Sequence, residues 1–280
     1  MNRHYMKIQL SSSLKPLVFL VGVSAIAFPS TALADTLPNK SDFCAARPGQ
    51  TTPPCVIETG SAMVETGLAT WEHAKTEGER DNQLTLSAIA LRYGIAPSVE
   101  LQVGWAGLVV SSHFDYATLN QSRDTNPGDL TVGALYGLSG RGGPVAVQAF
   151  ITLPTGKGAA TDGEWSGGVR LPVAMPIDNN WQLGLTPEYN ITVNSSGHGR
   201  HSAFGGAAGI SRSISRRLSA GIDISVLEDR DPEGSSTSSM ASASIAWQTT
   251  PNSQVDLGAG LGLTSNSPRA QIYIGFAKRM

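Results

Sequence analysis

Trp181-Gln-Leu-Gly-Leu-Thr-Pro-Glu-Tyr-Asn-Ile191 places Trp, Leu, Leu, Pro, Tyr and Ile at its odd positions. Gln182, Gly184, Thr186, Glu188 and Asn190 fill the even ones. Alternation at 180° per residue is the signature of a β-strand with two unlike faces. Val255 to Leu263 repeats the pattern, with Asp256 and three glycines opposite a wholly apolar face. Val99 to Trp105 sets Glu100, Gln102 and Gly104 against its apolar side, and Leu218 to Val226 does the same with Ser219, Gly221, Asp223 and Ser225.

Outward from these, about twelve such segments follow one another. They start near Val56, Asn82, Val99, Asp129, Pro144, Glu164, Trp181, Ser202, Arg217, Ser239, Gln254 and Arg269. The first is polar and Gly-rich, and the second changes phase near Ala88. Their connections alternate in length. Lys75–Asp81, Ser111–Gly128, Thr155–Gly163, Val193–His201 and Glu228–Ser238 are the longer ones. Ala96–Ser98, Ser139–Gly143, Pro176–Asn180, Ile214–Arg216 and Gln248–Ser253 fall between them. The expected fold is all-β, an antiparallel up-and-down barrel with short turns at one end and long loops at the other.

Composition agrees. Gly is 31 of 280 residues and charged residues are 15%, against about 25% charged in ordinary globular domains. Gly costs up to about 1 kcal/mol at each helix-interior position, which argues against a helical bundle. The one long apolar run, Pro16 to Phe28, is shorter than the roughly 20 residues a transmembrane helix needs. Arg3, Lys7 and Lys15 precede or open it, and Ala32-Leu33-Ala34 follows. That is the form of a secretory signal peptide, residues 1–34, cleaved between Ala34 and Asp35; an uncleaved anchor helix is the alternative. Cleavage leaves 17 Lys and Arg against 22 Asp and Glu. With no basic cluster beyond Arg212 to Arg217, nucleic acid is not an expected partner.

A water-soluble barrel turns its apolar face inward and carries many charges outside. Here the polar face is mostly Gly, Ser, Thr and Gln, while Trp105, Tyr136, Trp165, Trp181, Tyr189, Trp247 and Phe276 sit on the apolar face. Aromatic girdles around an apolar band mark a transmembrane barrel, and only a closed barrel satisfies strand backbone in lipid. The reading is therefore an exported outer-membrane β-barrel over residues 56–280, its partners outer-membrane lipid, lipopolysaccharide, the barrel assembly machinery and a small-molecule solute. A soluble β-sandwich is the alternative. Residues 35–55 form a periplasmic leader in which Cys44 and Cys55 are expected to pair as a disulfide; a two-thiol metal site is the weaker choice.

Twelve strands about 4.8 Å apart and tilted by about 40° enclose a lumen of about 10 Å. By register it is lined by Arg92, Glu100, Gln102, Asp129, Gln148, Arg170, Gln182, Glu188, Arg217, Asp223 and Asp256. Both signs occur, so strong ion selectivity is not indicated. These charges either line an open pore or pair across the lumen and plug it.

Cys44-Ala-Ala-Arg-Pro-Gly-Gln-Thr-Thr-Pro-Pro-Cys55 followed by Glu58-Thr-Gly60 resembles a family of Gram-negative outer-membrane transporters of the meta-pathway of phenol degradation. The resemblance continues through Leu91-Arg-Tyr-Gly94, Leu153-Pro-Thr-Gly156, Thr186-Pro-Glu188, Gly199-Arg-His201, Asp229-Arg-Asp-Pro-Glu-Gly234 and Tyr273-Ile-Gly-Phe276. It implies a β-barrel channel and an aromatic solute, and it assigns no site residue. The chain ends Lys278-Arg279-Met280 where such barrels commonly end in an aromatic residue.

No cofactor and no catalysis are expected. His73, His113, His198 and His201 sit at strand ends or in loops, and no G-x-S-x-G elbow occurs. His198 and His201 could join His113 around a metal ion if their loops touch. Asp229-Arg-Asp-Pro-Glu-Gly234 imitates the start of an EF-hand loop, but position twelve is Met240. The expected function is a porin-like channel passing small molecules by diffusion. A non-conducting barrel whose loops bind partners or surface ligands is the alternative.

Overall fold

The computed structural model describes residues 43–280; the signal peptide and its cleavage site lie outside the described residues. Fifteen strand segments make up the wall. In chain order they are β1 (Ala62–Lys75), β2 (Glu79–Ala96), β3 (Val99–Trp105), β4 (Leu108–Asp115) and β5 (Asn120–Pro127). There follow β6 (Leu130–Gly137), β7 (Ala146–Leu153), β8 (Ser166–Arg170), β9 (Val173–Pro176) and β10 (Trp181–Val193). The last are β11 (Arg200–Ser213), β12 (Leu218–Asp229), β13 (Ser236–Thr250), β14 (Ser253–Gly262) and β15 (Ala270–Arg279).

Three pairs of segments, β3 with β4, β5 with β6 and β8 with β9, are single staves interrupted by one short break each, so the wall has twelve staves. All pair antiparallel with their neighbours, and β1 closes the ring on β15, from Met63 opposite Arg279 to His73 opposite Ala270. Met280 extends that seam, its N–H donating to the Ala62 carbonyl at 2.8 Å.

The phase change near Ala88 has a local cause. Ser87 takes a φ of 55°, and opposite it Ala106-Gly107 breaks β3 from β4. Gly107 has a φ of 87°, and a Cβ there would collide with the Leu86 carbonyl oxygen. The pairing survives the kink, since the Gly128 N–H donates to Gly107 and the Ala106 N–H to Asp129.

Two segments differ from the sequence reading. The first strand begins at Ala62 rather than near Val56; Val56 and Ile57 are instead buried inside, each 2% exposed. Ser111–Gly128, read as a long loop, is mostly the β4–β5 hairpin. Its residues are polar on both faces, as in Asn-Gln-Ser-Arg-Asp-Thr, so no apolar alternation betrays it. It pairs β4 with the outer half of β2 and needs no lipid-facing side.

The apolar residues of the wall point out. Ile222 is 61% exposed, Trp247 56% and Leu101 47%, whereas Glu100 and Asp256, on the other parity, are 0% and 1% exposed. This is the inverse of a water-soluble barrel and matches a lipid-facing band. Ile222→Arg, placing a charge midway along β12 on the outer face, is expected to lower the unfolding free energy in lipid by about 2–4 kcal/mol. Ser219→Ala on the inner face of the same strand should change it by less than about 0.5 kcal/mol. Urea titration of both variants in liposomes checks the pair, and equal effects would contradict the assigned faces.

Candidate functional site

The interior is not left to water. Residues 43–57 run through it: Phe43 to Cys55, expected outside the barrel as a leader, and Val56 and Ile57, expected to open the first strand. They enter beside β1 and β2, reach the middle of the lumen at Gly49 to Thr52, and return to the start of β1. Irregular backbone forms no ladder, so its polar groups need side-chain partners, and the inward residues of the wall supply them. The Ala46 N–H donates to Glu65 at 3.0 Å, Gly49 to the Tyr273 hydroxyl at 3.1 Å, Thr52 to Thr186 at 2.9 Å and Ile57 to Glu100 at 2.8 Å. The Arg47 carbonyl accepts from Gln254 at 2.9 Å, and its guanidinium pairs with Asp256 at 3.1 Å.

Arg92 is the centre of this arrangement. Its side chain is 4% exposed and spends all five N–H donors. Nε and Nη2 grip Glu100 at 2.7 and 3.1 Å. Nη1 reaches Glu65 at 3.0 Å and the Cys44 carbonyl at 2.6 Å, and Nη2 also reaches the Cys55 carbonyl at 3.2 Å. Cys44 and Cys55 are joined by a disulfide, so one guanidinium holds both feet of a covalently closed loop.

Glycine on the inner face makes the room. A Cβ on Gly94 would collide with the carbonyl oxygens of Ile57 and Glu58, and one on Gly275 with the Arg47 guanidinium. At Gly184 it would press on Thr51 at 3.1 Å. Space remains on both sides of the segment. One cavity, of about 370 Å³, lies toward the loop end between Gln50, Thr52, Glu72, Arg170, Glu188 and Gln271. A smaller one, of about 180 Å³, faces the short turns between Ala46, Thr51, Gln182, Ser219 and Asp223.

The eleven residues assigned to the lumen by register fall into several groups. Arg92 and Glu100 bind the segment, and Gln102 and Gln148 continue from Glu100 as a chain of 2.6 Å hydrogen bonds. Asp256 holds Arg47, and Asp223 lies 3.4 Å from the Thr51 hydroxyl. Arg170 and Glu188 pair at 2.9 Å beside the larger cavity, with Arg170 4.6 Å from the Phe150 ring centre. Gln182 lines the smaller cavity. Asp129 sits in the β5–β6 break and accepts the Gly156 N–H at 2.7 Å, under the loop of residues 154–165. Burial, and then the charge of Asp129, push the Asp162 carboxyl of that loop above the usual carboxylate range. Arg217 lies in the exposed β11–β12 turn, one residue before the strand that was expected to carry it inward. Glu65 joins Arg92 without having been expected, because the polar, Gly-rich first segment shows no clear alternation from which to assign a face.

The histidines separate. His198 is 92% exposed beside Glu164, and His113 lies 2.7 Å from Asp81 on the β4–β5 hairpin, in a group with Glu79. His201 instead joins Asp229 and Asp231. Thr192 Oγ1, His201 and Asn194 Oδ1 follow one another at 2.7 and 2.9 Å, the order of hydroxyl, imidazole and orienting group that nucleophilic chemistry needs. A carboxylate oxygen of Asp229 stands 2.8 Å from the same ring nitrogen as the hydroxyl, and the ring is 5% exposed, which suits a closed polar knot better than a reacting centre.

A closed antiparallel barrel with an apolar exterior and a polar, segment-filled interior is the architecture of bacterial outer-membrane barrels. Solved structures agree on the fold. An outer-membrane channel from Pseudomonas putida F1 is 13% identical, with 81% of this chain and 98% of that one covered at a TM-score of 0.61. The translocator domain of the autotransporter NalP from Neisseria meningitidis is 10% identical, with 80% and 90% covered at a TM-score of 0.54. No curated protein matches the sequence. The chain belongs to the family described as "Putative MetA-pathway of phenol degradation", whose model matches residues 45–280.

Arg92→Met would leave Glu65 and Glu100 buried without their guanidinium and free both carbonyls of the disulfide loop. It should cost about 3–5 kcal/mol and open residues 43–57 to added protease, read by denaturant titration and by mass spectrometry of the digest. At the hairpin, the hydrogen bond to Asp81 raises the His113 pKa above 6.5. A raised folded-state value means the pair stabilises the hairpin fully below the unfolded value and is lost as pH climbs through the folded one. The His113 NMR midpoint should therefore lie above that of an Asp81→Asn variant; equal midpoints would refute the pairing.

Proposed function

We propose that this protein is an outer-membrane channel for small molecules, in which residues 43–57 form the constriction. One observation supports the reading best: two polar cavities, of about 370 and 180 Å³, lie on opposite sides of a segment held in the lumen by discrete hydrogen bonds. A solid protein core would leave neither. The family's description connects it with phenol degradation, so an aromatic solute is the class to try first. Lumen-facing Phe150 and Tyr273, each with an arginine within 5.5 Å of its ring centre, offer faces for one. The outer membrane as the site of action, export by a cleaved signal peptide, and contacts with lipid, lipopolysaccharide and the assembly machinery belong to the same reading.

The alternative, a non-conducting barrel that works through its loops, is favoured by the occupied lumen and by the ion pairs Arg92–Glu100, Arg170–Glu188 and Arg47–Asp256. Planar-bilayer conductance separates the two. The mature chain, Asp35–Met280, should give small steps, and deletion of residues 43–55 should raise them severalfold while phenol reduces the current. A deletion variant that folds and stays silent would remove the channel reading.

A further inference from the structure

Four pieces of chain at the loop end of the barrel converge on His201. Thr192 lies one residue before the end of β10, Asn194 and Ser195 belong to the β10–β11 turn, Asp229 ends β12, and Asp231 lies in the β12–β13 turn. Nε2 of His201 lies 2.8 Å from Asp229 Oδ1 and 2.7 Å from Thr192 Oγ1. Nδ1 lies 2.9 Å from Asn194 Oδ1 and 3.7 Å from Asp231 Oδ2. One donor atom each from His201, Asp229 and Asp231 falls within 4.8 Å of the others. The His201 and Asp231 side chains are 5% and 2% exposed.

Two features set this group apart from a solvated acidic turn. The Asn194 amide is fixed in orientation, because its Nδ2 donates to the His198 carbonyl at 2.9 Å. Its Oδ1 therefore faces the ring, and as that oxygen only accepts, Nδ1 carries the hydrogen. Nε2 is left with a lone pair aimed at a carboxylate oxygen 2.8 Å away. That contact becomes favourable only with positive charge between the two atoms. The carboxylates are also held in place by backbone. Ser195 N–H and Glu233 N–H donate to Asp231 at 2.7 and 2.8 Å, and Asp231 N–H donates to Asp229 at 3.1 Å.

We propose that His201, Asp229 and Asp231 form a binding site for a divalent first-row transition ion, Zn²⁺ being the best fit. One imidazole nitrogen with carboxylate oxygens is a zinc-type donor set, whereas Ca²⁺ and Mg²⁺ prefer oxygen alone. The Nδ1–H bond to Asn194 is the outer hydrogen bond that orients a metal-ligating histidine. The Thr192 hydroxyl or a water completes the coordination. A bound ion ties the β10–β11 turn to the β12–β13 turn and stiffens that part of the rim. The motifs Gly199-Arg-His201 and Asp229-Arg-Asp-Pro-Glu-Gly234 thereby acquire one shared purpose.

The test uses the refolded mature protein in detergent, stripped with chelator and titrated with Zn²⁺ by calorimetry, with bound metal counted after gel filtration. The Glu79–Asp81–His113 group is the internal control. One Zn²⁺ per chain is expected, retained in His113→Gln and not displaced by a hundredfold excess of Ca²⁺. Binding should weaken by about tenfold or more in His201→Gln and in Asp231→Asn, the latter keeping the shape of the side chain. At one fixed concentration Zn²⁺ should raise the melting temperature of the wild type by more than that of Asp231→Asn. Absence of Zn²⁺ binding by the folded wild type overturns the proposal. Binding that survives both His201→Gln and Asp231→Asn, or that disappears with His113→Gln, overturns it equally.

Discussion

Closure of β1 on β15 is the constraint from which the rest follows. In a hydrocarbon surround every strand N–H and carbonyl must find a partner in the wall, and an open edge has none. Twelve staves with no edge enclose an interior of fixed width, wider than small inward side chains fill. The chain meets this by returning part of itself to the lumen. Gly94, Gly184 and Gly275 become intelligible as clearance for that segment. In a strand an inward glycine forfeits packing; here it gives backbone a place to lie.

The segment brings its own demand, since its N–H and carbonyl groups are as unpaired as a free edge would be. This explains why charge is buried in the barrel at all. Desolvating Arg92, Glu65 and Glu100 is expensive, and an apolar cluster of the same volume would stabilise a core about as well. An apolar cluster could not hold the carbonyls of Cys44 and Cys55 or the N–H groups of Ala46 and Ile57. The polarity of the lumen is matched to a peptide as much as to a solute.

That match also marks what could be read from the sequence. Alternation in Trp181–Ile191, Leu218–Val226 and Val255–Leu263 fixes strand direction and face, because lipid imposes one sharp requirement on the outer side. Arg92, Glu100 and Asp256 follow inward by parity. Parity gives a direction and no occupant: a glutamate that meets water and one that meets a backbone N–H look alike in a sequence. β1 and the β4–β5 hairpin were obscured for the same reason, one carrying glutamates and a glycine among its apolar residues, the other lacking a lipid face. The His201 group was invisible because its members come from the ends of two strands and a turn, brought together only by the β10–β11 and β11–β12 registers.

The bonds that hold the segment are unequal, and this orders how it can yield. At its feet a buried guanidinium and two carboxylates make charge-assisted bonds of 2.6 to 3.2 Å around a disulfide, roughly twice as strong as neutral ones. At its tip, Gly49 to Thr52 rest on the Tyr273 and Thr186 hydroxyls and on the Asp223 carboxylate, which takes hydrogen bonds from Gln50 and Thr51. The tip is also where the two cavities approach each other across Thr52. The tip lacks the buried guanidinium that grips the feet, which makes it the more loosely held part of the segment.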